Sequence, residues 1–262
     1  MRTHPAGHAP DPHPLPLTGE RTLPGIPDER YWFERHVVAY RLAAARAVDR
    51  VVLDAGCGEG YGLRMLAEAG ARRVVGADYD ETTVAHVEAT YVAADPRIEV
   101  HRAELLDLPL ADGEVDLVVS FQVIEHLYDI PGYLRSLARV TRPGGEVLIA
   151  TPNRLTFTPG SDTPVNPFHT REFTAEELRR ECEGAGLEVP LLLGVHHGPR
   201  LAAVERAMRR PFWTTMAEQP STEWSRAYRA LVHRVTADDF RVRPDGLDAS
   251  LDLLAVCRVP RR

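Results

Sequence analysis

The feature that most limits what this chain can fold into is an alternation. Short runs rich in β-branched residues, at 51–54, 74–78, 98–101, 115–120 and 146–151, are separated by stretches whose apolar residues recur at helical spacing. Strand and helix periods repeating in turn predict a parallel sheet joined by crossover helices. The first crossover sets Leu63, Leu66 and Ala67 on one face and stops at Gly70, while the second does the same with Val84, Val87 and Tyr91. Ahead of them, Trp32, Phe33, His36, Val37 and Tyr40 form one face of a helix beginning near Tyr31. Later, Thr174 opens a helix with Glu177 three residues on, flanked by Phe173 and Leu178 as a staple. Two further strands, 187–194 and 251–259, bring the total to seven. The segment between them, helical near 200–209 and 222–234, far exceeds the ~2 to 8 residues of an ordinary connection and reads as an insertion.

Composition narrows the function. With 262 residues the chain is long enough for a full α/β core. Residues 1–16, rich in proline and carrying His4, His8 and His13, bury too little to repay ordering and are expected to form a disordered leader. A core at 17–195 and 250–262 and a helical acceptor-side insertion at 196–249 make up the remainder. The excess of 38 acidic over 31 basic residues argues against nucleic acid as a partner. Lysine is absent altogether, which excludes a Schiff-base lysine and a Walker-type lysine. No apolar run approaches the ~18 residues of a membrane span. Three cysteines without paired spacing, Cys57, Cys182 and Cys257, and no apolar leader stretch suit a reducing cytoplasm.

The chemistry concentrates where the first strand meets its helix. Asp54-Ala55-Gly56-Cys57-Gly58-Glu59-Gly60 stands at the carboxyl end of a strand, where open α/β sheets bind ligands. Tyr61 occupies the position at which a dinucleotide fingerprint needs its third glycine, so that strict pattern fails. An acid followed by three alternating glycines suits an amino-acid moiety better than a pyrophosphate. At the end of the second strand, Asp78 is placed to accept both hydroxyls of a ribose.

These motifs, VLDAGCGEG (52–60), VVGADYD (74–80), AELLDLPLADGEVD (103–116) and RPGGEVLIATPN (142–153), resemble those of the class I S-adenosylmethionine-dependent methyltransferases over about residues 30–195. The resemblance implies a Rossmann-like, seven-stranded, mostly parallel sheet with helices on both faces. It implies that Gly56, Gly58 and Gly60 wrap the methionine part near Asp54, and that Asp78 holds the ribose with Tyr79 beside it. Glu104 matches the acid that sees the adenine amino group, Leu105 supplies the neighbouring amide, and Phe121 and Gln122 close the site from the fourth strand.

Transfer to an alcohol also needs a base for the hydroxyl proton, and histidine suits that near neutral pH. His126, with Glu125, lies just beyond the fourth strand in FQVIEHLYD, and His169 lies in TPVNPFHTREFT after the fifth. Either histidine fits. Some quinone-pathway methyltransferases carry a related run that holds a divalent ion. Here Gln122 replaces its first acid, so a metal is optional and no metal ligand is assigned. The only asparagines, Asn153 and Asn166, fall in the same stretch and suggest amide hydrogen bonding. Arg171 and Glu172 read as an exposed pair, and His196-His197 as a further acceptor-side candidate. LTGERTLPG (17–25), YWFERHVVAY, NPFHTREFT and the distal TADDF and DASLDL resemble an actinobacterial branch associated with methylated polysaccharides, including methylglucose lipopolysaccharide pathways. That implies an O-methyltransferase acting on a saccharide hydroxyl, with Tyr31, Trp32, Phe212, Trp213 and Trp224 as stacking surfaces. A quinone, phenolic or other small-molecule acceptor is the enzymatic alternative. A non-catalytic S-adenosylmethionine-binding module and a nicotinamide oxidoreductase are the others, and oligomeric state stays open.

Overall fold

The structure is a computed structural model describing residues 15–17 and 21–261. His4, His8, His13 and the rest of 1–14, with 18–20 and 262, lie outside the described residues. The strands are β1 (Val51–Ala55), β2 (Arg73–Asp78), β3 (Ile98–Arg102), β4 (Val115–Phe121), β5 (Thr141–Pro152), β6 (Glu188–His197), β7 (Phe240–Arg243) and β8 (Asp252–Arg258). They form one sheet in the order β3-β2-β1-β4-β5-β8-β6-β7. β1 to β5 pair in parallel, whereas β8 runs antiparallel to β5 and β6, and β7 antiparallel to β6. Among the described residues the sheet therefore has eight strands rather than the expected seven. The extra one, Phe-Arg-Val-Arg, is too short and too charged to register as a strand run and pairs only at the sheet edge.

Helices cover both faces, and consecutive strand residues serve opposite ones. Val52, Val74, Leu117 and Leu148 pack under α1 (Arg30–Ala47) and α2 (Tyr61–Glu68), against Val38, Ala43, Leu63 and Leu66. Leu53, Val75, Val118 and Ile149 pack under α4 (Ile130–Val140) and α6 (Ala175–Gly184), against Tyr133, Leu134, Leu137 and Leu178. α3 (Glu81–Val87) runs into one π-helical turn, Glu88–Val92, that turns Tyr91 into the core. α6 carries the expected capping box, Thr174 with Glu177. A short helix α5 (Arg154–Phe157) follows β5.

β6 continues through His197, so His196 and His197 are sheet residues rather than the start of the insertion. Beyond it come α7 (Pro199–Met208), α8 (Thr214–Glu218) and α9 (Arg226–Val232), before the chain re-enters the sheet as β7 and then β8. Arg35 of α1 forms a buried ion pair with Asp252 at the start of β8 and donates to the Leu251 carbonyl at 2.7 Å. Leu15 is buried although it was expected in the leader. Among the described residues no helix is long and apolar enough to cross a membrane.

Candidate functional site

β1 and β4 are neighbours whose crossovers leave in opposite directions, which opens a crevice beyond their carboxyl ends. The loop after β1 forms its floor. Gly56 and Cys57 donate their amides to the Ala77 carbonyl at 2.8 and 3.1 Å, pinning the loop to β2. Gly56, Gly58 and Gly60 all have positive φ, but for different neighbours. A Cβ on Gly56 would meet Val123 at 2.5 Å, and one on Gly60 would meet Tyr91 at 2.7 Å. At Gly58 it would meet nothing within 4 Å among the described residues. Only Gly58 therefore leaves open space above the loop, and Gly60 is glycine because Tyr91 packs beneath it. Glu59 is a strut: it accepts from the Tyr61 amide at 3.1 Å, the Tyr91 hydroxyl at 2.9 Å and pairs with His86 at 3.0 Å.

Asp54 is fully buried, with Oδ2 accepting the Tyr40 hydroxyl at 3.0 Å and Oδ1 without a hydrogen-bond partner among the described residues. Burial pushes its carboxyl up to about 7. Such an oxygen beside a glycine loop fits an ammonium group, while a tyrosine of α1 holds the other carboxylate oxygen in place. Asp78 accepts from the Gly58 amide and the Asp80 amide, both at 3.0 Å, and burial raises its carboxyl as well. Tyr79 and Glu104 are exposed at the ends of β2 and β3, and Leu105 is buried beside them. Phe121 packs edge-on against Tyr40, 4.9 Å between centroids. Gln122 takes a left-handed φ of 58° and donates to Asp252 at 3.3 Å. The open space at Gly58, the unpartnered Asp54 oxygen and Asp78 together fit the cofactor that the motifs imply.

Beyond the end of β4, Glu125 is fully buried, and its Oε2 accepts the Thr151 hydroxyl at 2.9 Å. Its other oxygen has no hydrogen-bond partner among the described residues, and burial pushes the carboxyl up to about 8. His126 Nδ1 lies 3.0 Å from the Phe168 carbonyl. His169 sits between Glu172, 2.8 Å from Nδ1, and Asn166, 3.0 Å from Nε2. The two imidazoles meet edge to face with centroids 5.0 Å apart. Glu172 is thus not half of an exposed pair. Its carboxylate is buried on His169, while Arg171 reaches Glu181 at 2.7 Å.

Glu125, His126 and His169 bring ligand atoms within 4.8 Å of one another, a spacing open to a cation. Against that use, both nitrogens of His169 are engaged, and position 122 offers an amide in place of a carboxylate. Asn153 proves to be a structural hub: its amide nitrogen donates to the Leu247 and Ser250 carbonyls, both at 2.9 Å.

An aromatic wall adjoins the histidines. Phe157 lies 5.8 Å from His169 and stacks on Trp213 at 5.2 Å and 22°, and Trp32 closes the group at 6.3 Å from Phe157. Phe157 is the member that sequence reading missed, since nothing local marks a phenylalanine in a one-turn helix. Of the expected stacking residues, Trp32 and Trp213 remain partly exposed, whereas Tyr31, Phe212 and Trp224 are buried in the core and offer no face. His197 is taken up by the fold too, bridging the Tyr31 hydroxyl at 2.7 Å and Glu205 at 2.8 Å.

Comparison with known proteins agrees with this geometry. Residues 53–149 match a family model described as a methyltransferase domain. In structure the chain is similar to an S-adenosylmethionine-dependent methyltransferase from Mesorhizobium loti, with a TM-score of 0.56 at 19% identity over 86% of this chain and 97% of that one. A ubiquinone biosynthesis O-methyltransferase of Aromatoleum aromaticum is 31% identical over 56% of this chain and 68% of its own. A Mycobacterium tuberculosis protein is 45% identical over 98% of this chain and 94% of its own, and a Mycolicibacterium smegmatis protein 49% identical over 95% and 97%. Both bear the name "Probable S-adenosylmethionine-dependent methyltransferase". Likeness of that degree along nearly the full length of both chains decides the family: this chain belongs to the S-adenosylmethionine-dependent methyltransferases.

Proposed function

We propose that this methyltransferase methylates a hydroxyl of a saccharide or glycoconjugate. The observation that carries the reading is the wall of Trp32, Phe157 and Trp213 beside two histidines, because sugar C–H faces stack on aromatic rings while the hydroxyls turn toward polar groups. The insertion between β6 and β8 takes part in acceptor binding on this reading, since it supplies Trp213.

When bound, S-adenosylmethionine supplies a methyl group activated by its positive sulfur. The residues proposed to hold it are Asp54 at the ammonium, the loop of Gly56, Gly58 and Gly60 around the methionine part, Asp78 at the ribose with Tyr79 alongside, and Glu104 and Leu105 at the adenine. Phe121 and Gln122 close the crevice at the reactive end. The chain's remaining task is to hold an acceptor oxygen ~3 to 3.5 Å from the methyl carbon, in line with the bond that breaks, and to take the hydroxyl proton. His126 and His169 are the side chains proposed to take that proton.

A phenolic or quinone-type acceptor is the second reading. The near-parallel Phe157 and Trp213 rings and the likeness to the ubiquinone-pathway enzyme favour it. Labelled S-adenosylmethionine offered with a panel of oligosaccharides and phenols, read by mass spectrometry, separates the two. Label on oligosaccharides is the expected result, and label confined to phenols would overturn the saccharide reading. Trp213→Ala is expected to raise KM for the acceptor about tenfold or more with cofactor affinity unchanged, on the scale of a stacking contact.

A further inference from the structure

α1 carries a stripe of three side chains, Trp32, His36 and Tyr40, set four residues apart and so stacked about one turn, ~5.4 Å, from one another. Contacts place both ends of the stripe. Trp32 belongs to the aromatic wall, 6.3 Å from Phe157 and 6.5 Å from Trp213. Tyr40 lies over the carboxyl ends of β1 and β4, donating to Asp54 at 3.0 Å and meeting Phe121 edge-on at 4.9 Å. His36, between them, therefore stands where the aromatic wall meets the crevice beyond the strand ends.

The surroundings of His36 agree with that place. The charged groups Asp252 and Arg35 act on its ring, and Asp252 also receives the side chain of Gln122, just past the end of β4. Nδ1 lies 3.2 Å from the hydroxyl of Thr22, which is itself 3.3 Å from the Tyr61 hydroxyl. That contact fixes the ring through one nitrogen. The other, Nε2, makes no hydrogen bond among the described residues, and the side chain is partly exposed. Burial pulls the imidazole down to about 4, although Asp252 pulls the other way. A ring neutral near pH 7 carries no charge to oppose a positive sulfur, and it is too weak a base to keep a hydroxyl proton. It can still hold a hydroxyl, because either ring tautomer leaves Nε2 as a donor or an acceptor and a hydroxyl is both.

We propose that His36 is an acceptor-binding residue whose Nε2 hydrogen-bonds the hydroxyl that is methylated, and that Thr22 is a positioning residue acting through Nδ1. The assignment rests on the reading that the acceptor is a hydroxyl. The role differs from the proton uptake proposed for His126 and His169. An in-line displacement loses rate when the attacking oxygen is misdirected, so a ring that orients this oxygen acts on kcat as well as on KM.

Substitution separates this role from a structural one, because the amide of asparagine reaches about as far as Nδ1 and that of glutamine about as far as Nε2. Kinetics use the full chain and whichever member of the oligosaccharide and phenol panel takes up label. His36→Ala is expected to lower kcat/KM about tenfold, the scale of one hydrogen bond, with calorimetric affinity for S-adenosylmethionine unchanged. His36→Gln should recover most of that loss, and His36→Asn should not. The opposite order, with asparagine restoring turnover and glutamine failing, would leave only the contact with Thr22 and overturn the proposal. Unchanged kcat/KM in His36→Ala, or a tenfold loss of cofactor affinity with KM held, would do the same.

The native chain supplies a readout free of any folding defect. Long-range proton–nitrogen spectra of the 15N-histidine-labelled chain, saturated with S-adenosylhomocysteine and assigned by comparison with His36→Gln, are followed as the labelled panel member is added. The Nε2 signal of His36 should move more than its Nδ1 signal, and an Nε2 signal that stays in place removes the contact. If no panel member takes up label, the hydroxyl-acceptor reading falls and the role of His36 with it. Label in the native chain with an unmoved Nε2 signal sinks the role of His36 alone.

Discussion

At the scale of single residues, position sets two glycines of one loop apart: a Cβ on one would meet Tyr91, and a Cβ on the other would meet no described atom within 4 Å. Gly58→Ala adds a methyl that meets nothing within 4 Å among the described residues, at a φ of 52°, so strain of about 1 to 2 kcal/mol should leave a folded chain. Its cofactor affinity should fall at least tenfold. Gly60→Ala drives its methyl into Tyr91 and should lower the melting temperature more than Gly58→Ala does. Calorimetry and thermal unfolding of the two variants check the contrast. Asp54 gives a second prediction, through pH. Its folded carboxyl ionises at about 7 and an unfolded one near ~3.9, so the folded chain holds the extra proton between those values. The stability owed to Asp54 is therefore complete below the unfolded value and lost as pH rises through 7. Urea unfolding of the native chain and Asp54→Asn at about pH 5 and pH 8 should show the native chain losing ground to the variant. Cofactor affinity should run the other way, rising with pH in the native chain and staying flat in the variant. Asp54, Asp78 and the glycines could be picked out from the sequence because they follow strand runs. Tyr40 and Glu172 could not, because what makes them matter is a partner brought by folding: Asp54 for Tyr40, and His169, three residues away but on the same buried loop turn, for Glu172.

At the scale of elements, the strands of the parallel half stood out because burial on both faces demands consecutive apolar residues, and α6 because its cap is written locally as Thr174 and Glu177. β7 did not stand out, since a four-residue edge strand needs no apolar alternation and obtains its hydrogen bonds from β6. The π-helical turn at Glu88–Val92 was equally silent: it seats Tyr91 under the glycine loop, a requirement set by the neighbouring element. The cap gives the prediction at this scale. Thr174→Ala removes the acceptor for the Glu177 amide and should cost about 1 kcal/mol, or ~2 to 4 °C of melting temperature, in a scan against the native chain.

At the scale of the whole molecule, α1 and β8 are joined by the buried Arg35–Asp252 pair, to which Gln122 of the site also donates. Arg35→Ala strands a carboxylate in the core and is expected to cost ~3 to 5 kcal/mol, read as a lowered urea midpoint. Replacing both partners with apolar residues, Arg35→Met with Asp252→Leu, should recover much of that loss. The pairing partners of β8 carry a further consequence, for synthesis on the ribosome. The final strand in chain order fills the gap between β5 and β6, so until it emerges the nascent polypeptide presents two raw backbone rims side by side. Vectorial assembly of this enzyme must therefore wait for β8, and the half-built intermediate is the species that chaperones would have to shield from self-association.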